Sequence, residues 1–179
     1  MNEILAYYAA HRIGLEAESV ADGIGLTLLV IFGATFHARA RSIPSVTAFG
    51  ASGIVAACGL LEVAAFQALA YRPNPDPSRA ALLNDLQSFT FQAMTFPTLL
   101  FLGAAGAAIL GAGVLPRWLG LAALAAAALQ AAAWISFFAP TGILAAGGLP
   151  NIVSFAALLA WLVACSLMML RSGSLSPGH

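Results

Sequence analysis

The chain has 179 residues, 61% of them hydrophobic and 8% charged, and its seven basic and seven acidic side chains leave no formal net charge. A water-soluble domain carries roughly 25% charged residues, so this composition excludes a protein whose outer surface faces water. There is no lysine and no basic cluster, which excludes a nucleic-acid surface built on many phosphate contacts.

Residues 1–18 are amphipathic and too polar to cross a bilayer, and Tyr7 and Tyr8 suit a short helix lying at the membrane surface. The segment lacks the basic start, apolar middle and small-residue cleavage site of a signal peptide, so its removal is not expected. Residues 19–171 carry five stretches that supply the roughly 20 apolar residues a spanning helix needs. They run from Ser19 to His37, Ser45 to Tyr71, Ala81 to Gly111, Arg117 to Phe138 and Ile152 to Leu170. Charges, prolines or glycines bound each of them. The connector RPNPDPSR, Arg72 to Arg79, is stiffened by its prolines, and Ser78 is the expected N-cap of the third helix. That helix is about 46 Å long at 1.5 Å per residue. It exceeds the roughly 30 Å hydrocarbon core, so it must project, tilt or kink, with Pro97 as the kink point. Residues 172–179 read as a flexible tail. The predicted fold class is all-α, an integral membrane bundle of five transmembrane helices behind a short amphipathic segment.

Arginine placement sets the expected orientation. Arg39, Arg41, Arg117 and Arg171 share one side without an acid, whereas Arg12, Arg72 and Arg79 share the other with Glu3, Glu16, Glu18 and Asp76. An arginine excess marks the cytoplasm, which puts the N-terminus outside and the C-terminus inside. The absence of lysine beside abundant Ala, Gly, Leu and Arg suggests a GC-rich bacterial genome, hence a bacterial cell membrane.

Helices in lipid are held by close backbone packing and polar contacts. Gly103, Ala107 and Gly111 form one small-residue stripe and Ala123, Ala127 and Ala131 another, which predicts a seam between the third and fourth helices.

Ionisable groups inside a span are functional suspects, because each costs roughly 2.5–3.5 kcal/mol at the bilayer centre. Glu62 is the clearest, about 13 Å from the end of its helix at Tyr71. Asp85, Ser88, Gln92 and Thr95 recur on one helical face, while Gln87 points toward the side of Asn84 and Phe91. Gln67, Asp22, Gln130 and Trp134 add polarity at the same end of the bundle. Glu62 and Asp85 are the candidate catalytic pair. Gln67, Ser88, Gln92, Gln130 and Trp134 are the candidate ligand-binding residues of an outward-opening pocket walled by Phe89, Phe96 and Trp134. The bland reading makes Glu62 interhelical glue to Ser88 or Gln130 and Asp85 a charge favoured by the helix dipole. His37 beside Arg39 and Arg41 reads as an interfacial anchor, and Trp118 and Tyr71 as an aromatic belt.

Cys58 and Cys165 lie within apolar runs and read as small core residues. His11, His37 and His179 are too scattered for a zinc motif, and no glycine loop ends in a lysine. No metal site or cofactor is expected.

The stretch AYYAAHRIGL, followed by LLNDLQSFTFQAMTFPTLLFLGAAGAAILGAGVLPRWLGLAALAAA, resembles a large group of uncharacterised multi-pass membrane proteins from actinobacteria, over nearly the whole chain. Members carry a further apolar helix ahead of the Ala-Tyr-Tyr segment, so the resemblance implies that Met1 was chosen late or that this chain lacks that helix. It implies the fold and carries no activity to Glu62 or Asp85.

Three functions fit these residues. The first is binding of a lipid, a small lipophilic molecule or a membrane partner in the polar pocket. The second is an enzyme acting on a lipophilic substrate with Glu62 and Asp85 as acid and base, in the manner of small membrane-bound terpene cyclases. A proton-coupled transporter ranks below both, since no ionisable residue lies deep in the other half and no internal repeat is evident. The expected partners are the bilayer, a lipophilic small molecule and, with its composition open, a homo- or hetero-oligomer.

Overall fold

The computed structural model describes residues 10–71, 76–138, 142–143 and 148–173. Tyr7 and Tyr8, residues 72–75 of the proline-rich connector and the tail from 174 onward lie outside them. The described residues form α-helices without strands: α1 (Arg12–Ala40), α2 (Ile43–Tyr71), α3 (Pro77–Ala93), α4 (Thr95–Ala112), α5 (Arg117–Ala133), a 3-10 turn (Trp134–Phe138) and α6 (Leu149–Gly173). Because α3 and α4 are two parts of one rod, and the 3-10 turn extends α5, the chain makes five helices long and apolar enough to cross a membrane. It is a multi-pass, all-α membrane protein.

The exposed side chains fit that environment. Ile24, Leu28 and Ile31 form a continuous apolar stripe on the outside of α1, the face a membrane helix turns to lipid. The interior is built by close approach. A methyl at Gly106 would stand 2.9 Å from the carbonyl oxygen of Gly120, so α4 and α5 touch backbone to backbone, as small residues permit. Between α1 and α2 the close approach is glycine backbone against a side chain, Gly33 against Ser52 and Gly59 against Leu26.

Neighbours run in the order α1, α2, α4, α5, α6, with α3 laid against α2. The end of the bundle near Ala40 and Gly173 is closed by aromatic rings. Phe32 and Phe101 meet Trp161 edge-on at 5.8 and 5.7 Å, and Trp161 Nε1 donates to the Leu119 carbonyl at 2.9 Å. Arg39 donates to the Met169 carbonyl at 3.0 Å, which satisfies a carbonyl in the last turns of α6. His37 Nδ1 pairs with Ser45 Oγ at 2.9 Å.

The opposite end is uneven. α1, α2 and α3 continue beyond the start of α6 and form a small cluster of their own from Leu15, Leu69 and Ala80, packed by Phe66 and Leu83. Arg12 lies 4.9 Å above the Tyr71 ring and pairs with Glu16 at 2.8 Å.

Local details differ from expectation. The first helix begins at Arg12 rather than Ser19, so residues 12–18 belong to it; Leu15 and Ser19 are buried against its neighbours and hold those turns in place. The N-cap of α3 is Asp76, whose side chain accepts from Ser78 N–H, rather than Ser78 itself. The rod of the third span breaks at Met94, three residues before Pro97. The cause is still Pro97, which cannot donate to the Ala93 carbonyl and whose ring clashes with it. Finally, the stripe of Gly103, Ala107 and Gly111 is not the seam. Methyls added at Gly103 and Gly111 would meet nothing, and the contact runs instead through Gly106 and Leu110 against Gly120 and Leu124.

Candidate functional site

A cavity of about 530 Å³ lies between the spans, and each of the five contributes to its wall. That volume falls in the range of small-molecule sites, roughly 300–1,000 Å³. α1 brings Glu18, Asp22, Gly25 and Leu29, and α2 brings Val55, Gly59 and Glu62. The α3–α4 rod adds Phe91, Thr95 and Thr98, α5 adds Gln130, and α6 adds Asn151, Ser154, Phe155 and Leu158.

The helix registers put the polar members at one depth. With Gly59 against Leu26, Glu62 lies level with Asp22. With Gly106 against Gly120, Gln130 lies level with Thr95. The Trp161–Leu119 bond then sets the start of α6, and Asn151, beside Gln130. Every span thus supplies at least one polar side chain to this wall. Deeper in, Leu29, Val55 and Leu158 make the wall apolar, and the Phe32–Phe101–Trp161 rings close it.

Two amides are conspicuous. Gln130 is 5% exposed and Asn151 3%. Gln130 Oε1 and both Asn151 Oδ1 and Nδ2 are buried with no hydrogen-bond partner. A buried polar group left unpaired costs about 1–3 kcal/mol, and three such atoms on one cavity wall are more than packing explains.

The carboxyls gather at the same site. Asp22 and Glu18 stand within electrostatic range of Glu62. The ion pairs among the described residues, Arg12–Glu16 and Arg79–Asp76, leave all three out. The cavity reaches the outside between α1 and α6, which touch mainly through side chains at their far ends. Asp22 and Gly25 on one side of that gap and Phe155 and Leu159 on the other stay exposed while lining it.

Of the residues proposed from sequence as catalytic or ligand-binding, Glu62 and Gln130 line this cavity and Asp85, Gln67, Ser88, Gln92 and Trp134 do not, whereas Asp22 and Thr95, read from sequence only as polar, line it as well. Asp85 is exposed, so the carboxyl beside Glu62 is Asp22. Ser88 Oγ bonds back to the Asn84 carbonyl at 2.9 Å, the Gln92 carbonyl is taken by Thr95 Oγ1 at 2.7 Å, and Gln67 is exposed. The reason is the rotation of α3. Leu82, Leu86 and Phe89 point outward and carry Asp85 with them, while Phe91 turns toward the cavity. Trp134 stacks on Phe96 at 4.7 Å away from the cavity, so the aromatic wall is Phe91 and Phe155 rather than Phe89, Phe96 and Trp134. Asn151 and Ser154 were missed, although a polar pair three residues apart opening an apolar span was a readable signal.

Chemically, the wall offers two amides that both donate and accept, and acids, above an apolar floor. Among the described residues no group of three or more His, Cys, Asp or Glu side chains could hold a metal ion. No protein-family model, curated protein or solved structure matches the chain.

Proposed function

We propose that this chain binds a small lipophilic molecule in the intramembrane cavity, taken up sideways from the bilayer through the gap between α1 and α6. The observation that carries the reading is the pair of buried amides on the cavity wall, whose three unpartnered atoms call for a polar ligand group. The uneven length of the spans supports it too. The polar layer lies near the start of α6, hence near a membrane surface, where an amphiphile keeps its head. On the arginine distribution, this surface is the outer one of a bacterial cell membrane, with the N-terminus outside. A binding role needs no second catalytic carboxyl. The acid–base alternative required Asp85 beside Glu62, and Asp85 lies exposed on α3.

Gly25→Leu tests the reading. Gly25 lines the cavity, and a methyl there would meet nothing within 4 Å, so a leucine starts there unhindered, takes up cavity space and favours the helix. Purified protein in dodecyl maltoside should retain radiolabelled twelve-carbon probes, dodecanol or dodecylamine, and Gly25→Leu should lower retention at least tenfold while keeping the fold. Equal retention by both proteins would overturn the proposal.

A further inference from the structure

The geometry points to a ligand with a primary amine head: an alkyl ammonium held by the carboxyls of Asp22 and Glu62 and the amide oxygens of Gln130 and Asn151, its chain lying against Leu29, Val55 and Leu158. The inference rests on the binding role proposed above and names the chemistry of the ligand.

Charge and donor balance at the carboxyls carries it. Gln130 Oε1 and Asn151 Oδ1 are unpartnered acceptors, and carboxylates only accept. A hydroxyl brings one donor to these oxygens, and a carboxylate or phosphate head brings none at neutral pH. An ammonium brings three donors and no acceptor. It also supplies the positive charge that the described ion pairs withhold from these acids. An unpaired carboxylate inside a membrane is expensive, and partner charges are the usual remedy. The amide donors, Asn151 Nδ2 and Gln130 Nε2, suit an oxygen placed next to the amine. Acids at the mouth and leucines beneath fix which end of the amphiphile enters last.

Two sources share this chemistry: the headgroup of an ethanolamine lipid and a free long-chain amine. Binding to the full chain in dodecyl maltoside is measured with dodecylamine and with dodecanol, which differ only in the head. Dodecylamine is expected to bind about tenfold more tightly, as a charge-assisted hydrogen bond implies. Glu62→Gln with Asp22→Asn should bring its affinity down to that of dodecanol. Asp22→Asn alone, at an exposed position, should lower it part of the way and covers failure of the double variant to fold. Competition by dioctanoyl phosphatidylethanolamine identifies a lipid headgroup as the source, and its absence identifies a free amine; either supports the amine. Equal affinity for the two twelve-carbon probes, or equal competition by dioctanoyl phosphatidylglycerol, overturns the inference while leaving a lipophile-binding cavity standing. Retention of neither probe overturns both.

Discussion

Gln130 sits in a helix otherwise made almost wholly of alanine and leucine, buried, with its Oε1 unpaired. In a protein selected only for packing, that position would be apolar, since a side chain of the same volume removes the desolvation penalty. Gln130→Met should therefore stabilise the ligand-free protein by about 1 kcal/mol, read as a rise in thermal midpoint in detergent, while weakening retention of dodecylamine several-fold. A fall in midpoint would mean that the amide is structural. Trp161 is the opposite case. Its Nε1 is satisfied by the Leu119 carbonyl, and polar contacts between membrane helices average about 0.6 kcal/mol with an upper value near 1.7. Trp161→Phe should lower stability on chemical unfolding by about that much together with the cost of the lost ring volume.

At the scale of the helices, two glycines on α4 separate packing from coincidence. A methyl at Gly106 would press on the Gly120 carbonyl oxygen at 2.9 Å, while one at Gly103 would meet nothing. Gly106→Ala should destabilise by about 1–3 kcal/mol, the usual cost of overpacking. Gly103→Ala should be neutral or slightly stabilising, through helix propensity. Thermal unfolding of the two variants side by side checks both. The break at Met94 has a similar logic. Thr95 Oγ1 and Thr98 Oγ1 bond back to the Gln92 and Met94 carbonyls, each at 2.7 Å, as hydroxyls do around a proline in a membrane helix. Pro97→Ala should straighten the rod, raise the thermal midpoint and weaken probe retention, because Phe91 and Thr95 line the cavity on either side of the break. These elements also show what the sequence could carry. The spans were legible because the length of an apolar run is a direct physical requirement of the bilayer. The rotation of α3 was not, because polar residues lie all around its surface and the outward set was decided by Leu82, Leu86 and Phe89. The seam was misread for a related reason. In an alanine-rich helix, small residues fall on every face, and only the partner decides which face is used.

Across the whole molecule, the bundle divides into a dry half and a polar one. Stacked and edge-on rings around Phe32, Phe36 and Phe101, with Trp161, fill the half near Ala40 and Gly173. The other half keeps a cavity to which all five spans contribute. Glu62 and Gln130 were legible as its members from polarity alone. Asp22 was legible as polarity at the same end of the bundle but not as the carboxyl beside Glu62, and Asn151 was missed, because only the staggered helix registers bring them to the level of Glu62. An aromatic plug on one side and a lateral opening on the other suit a receptor or carrier for a membrane-dissolved molecule. The most direct measurement is a high-resolution structure of the protein in lipid, read at the cavity. The expected result is elongated non-protein density with its polar end within hydrogen-bond distance of Gln130 Oε1 and Asn151. A closed cavity in which Gln130 and Asn151 bond to each other or to Glu62 would contradict the binding role.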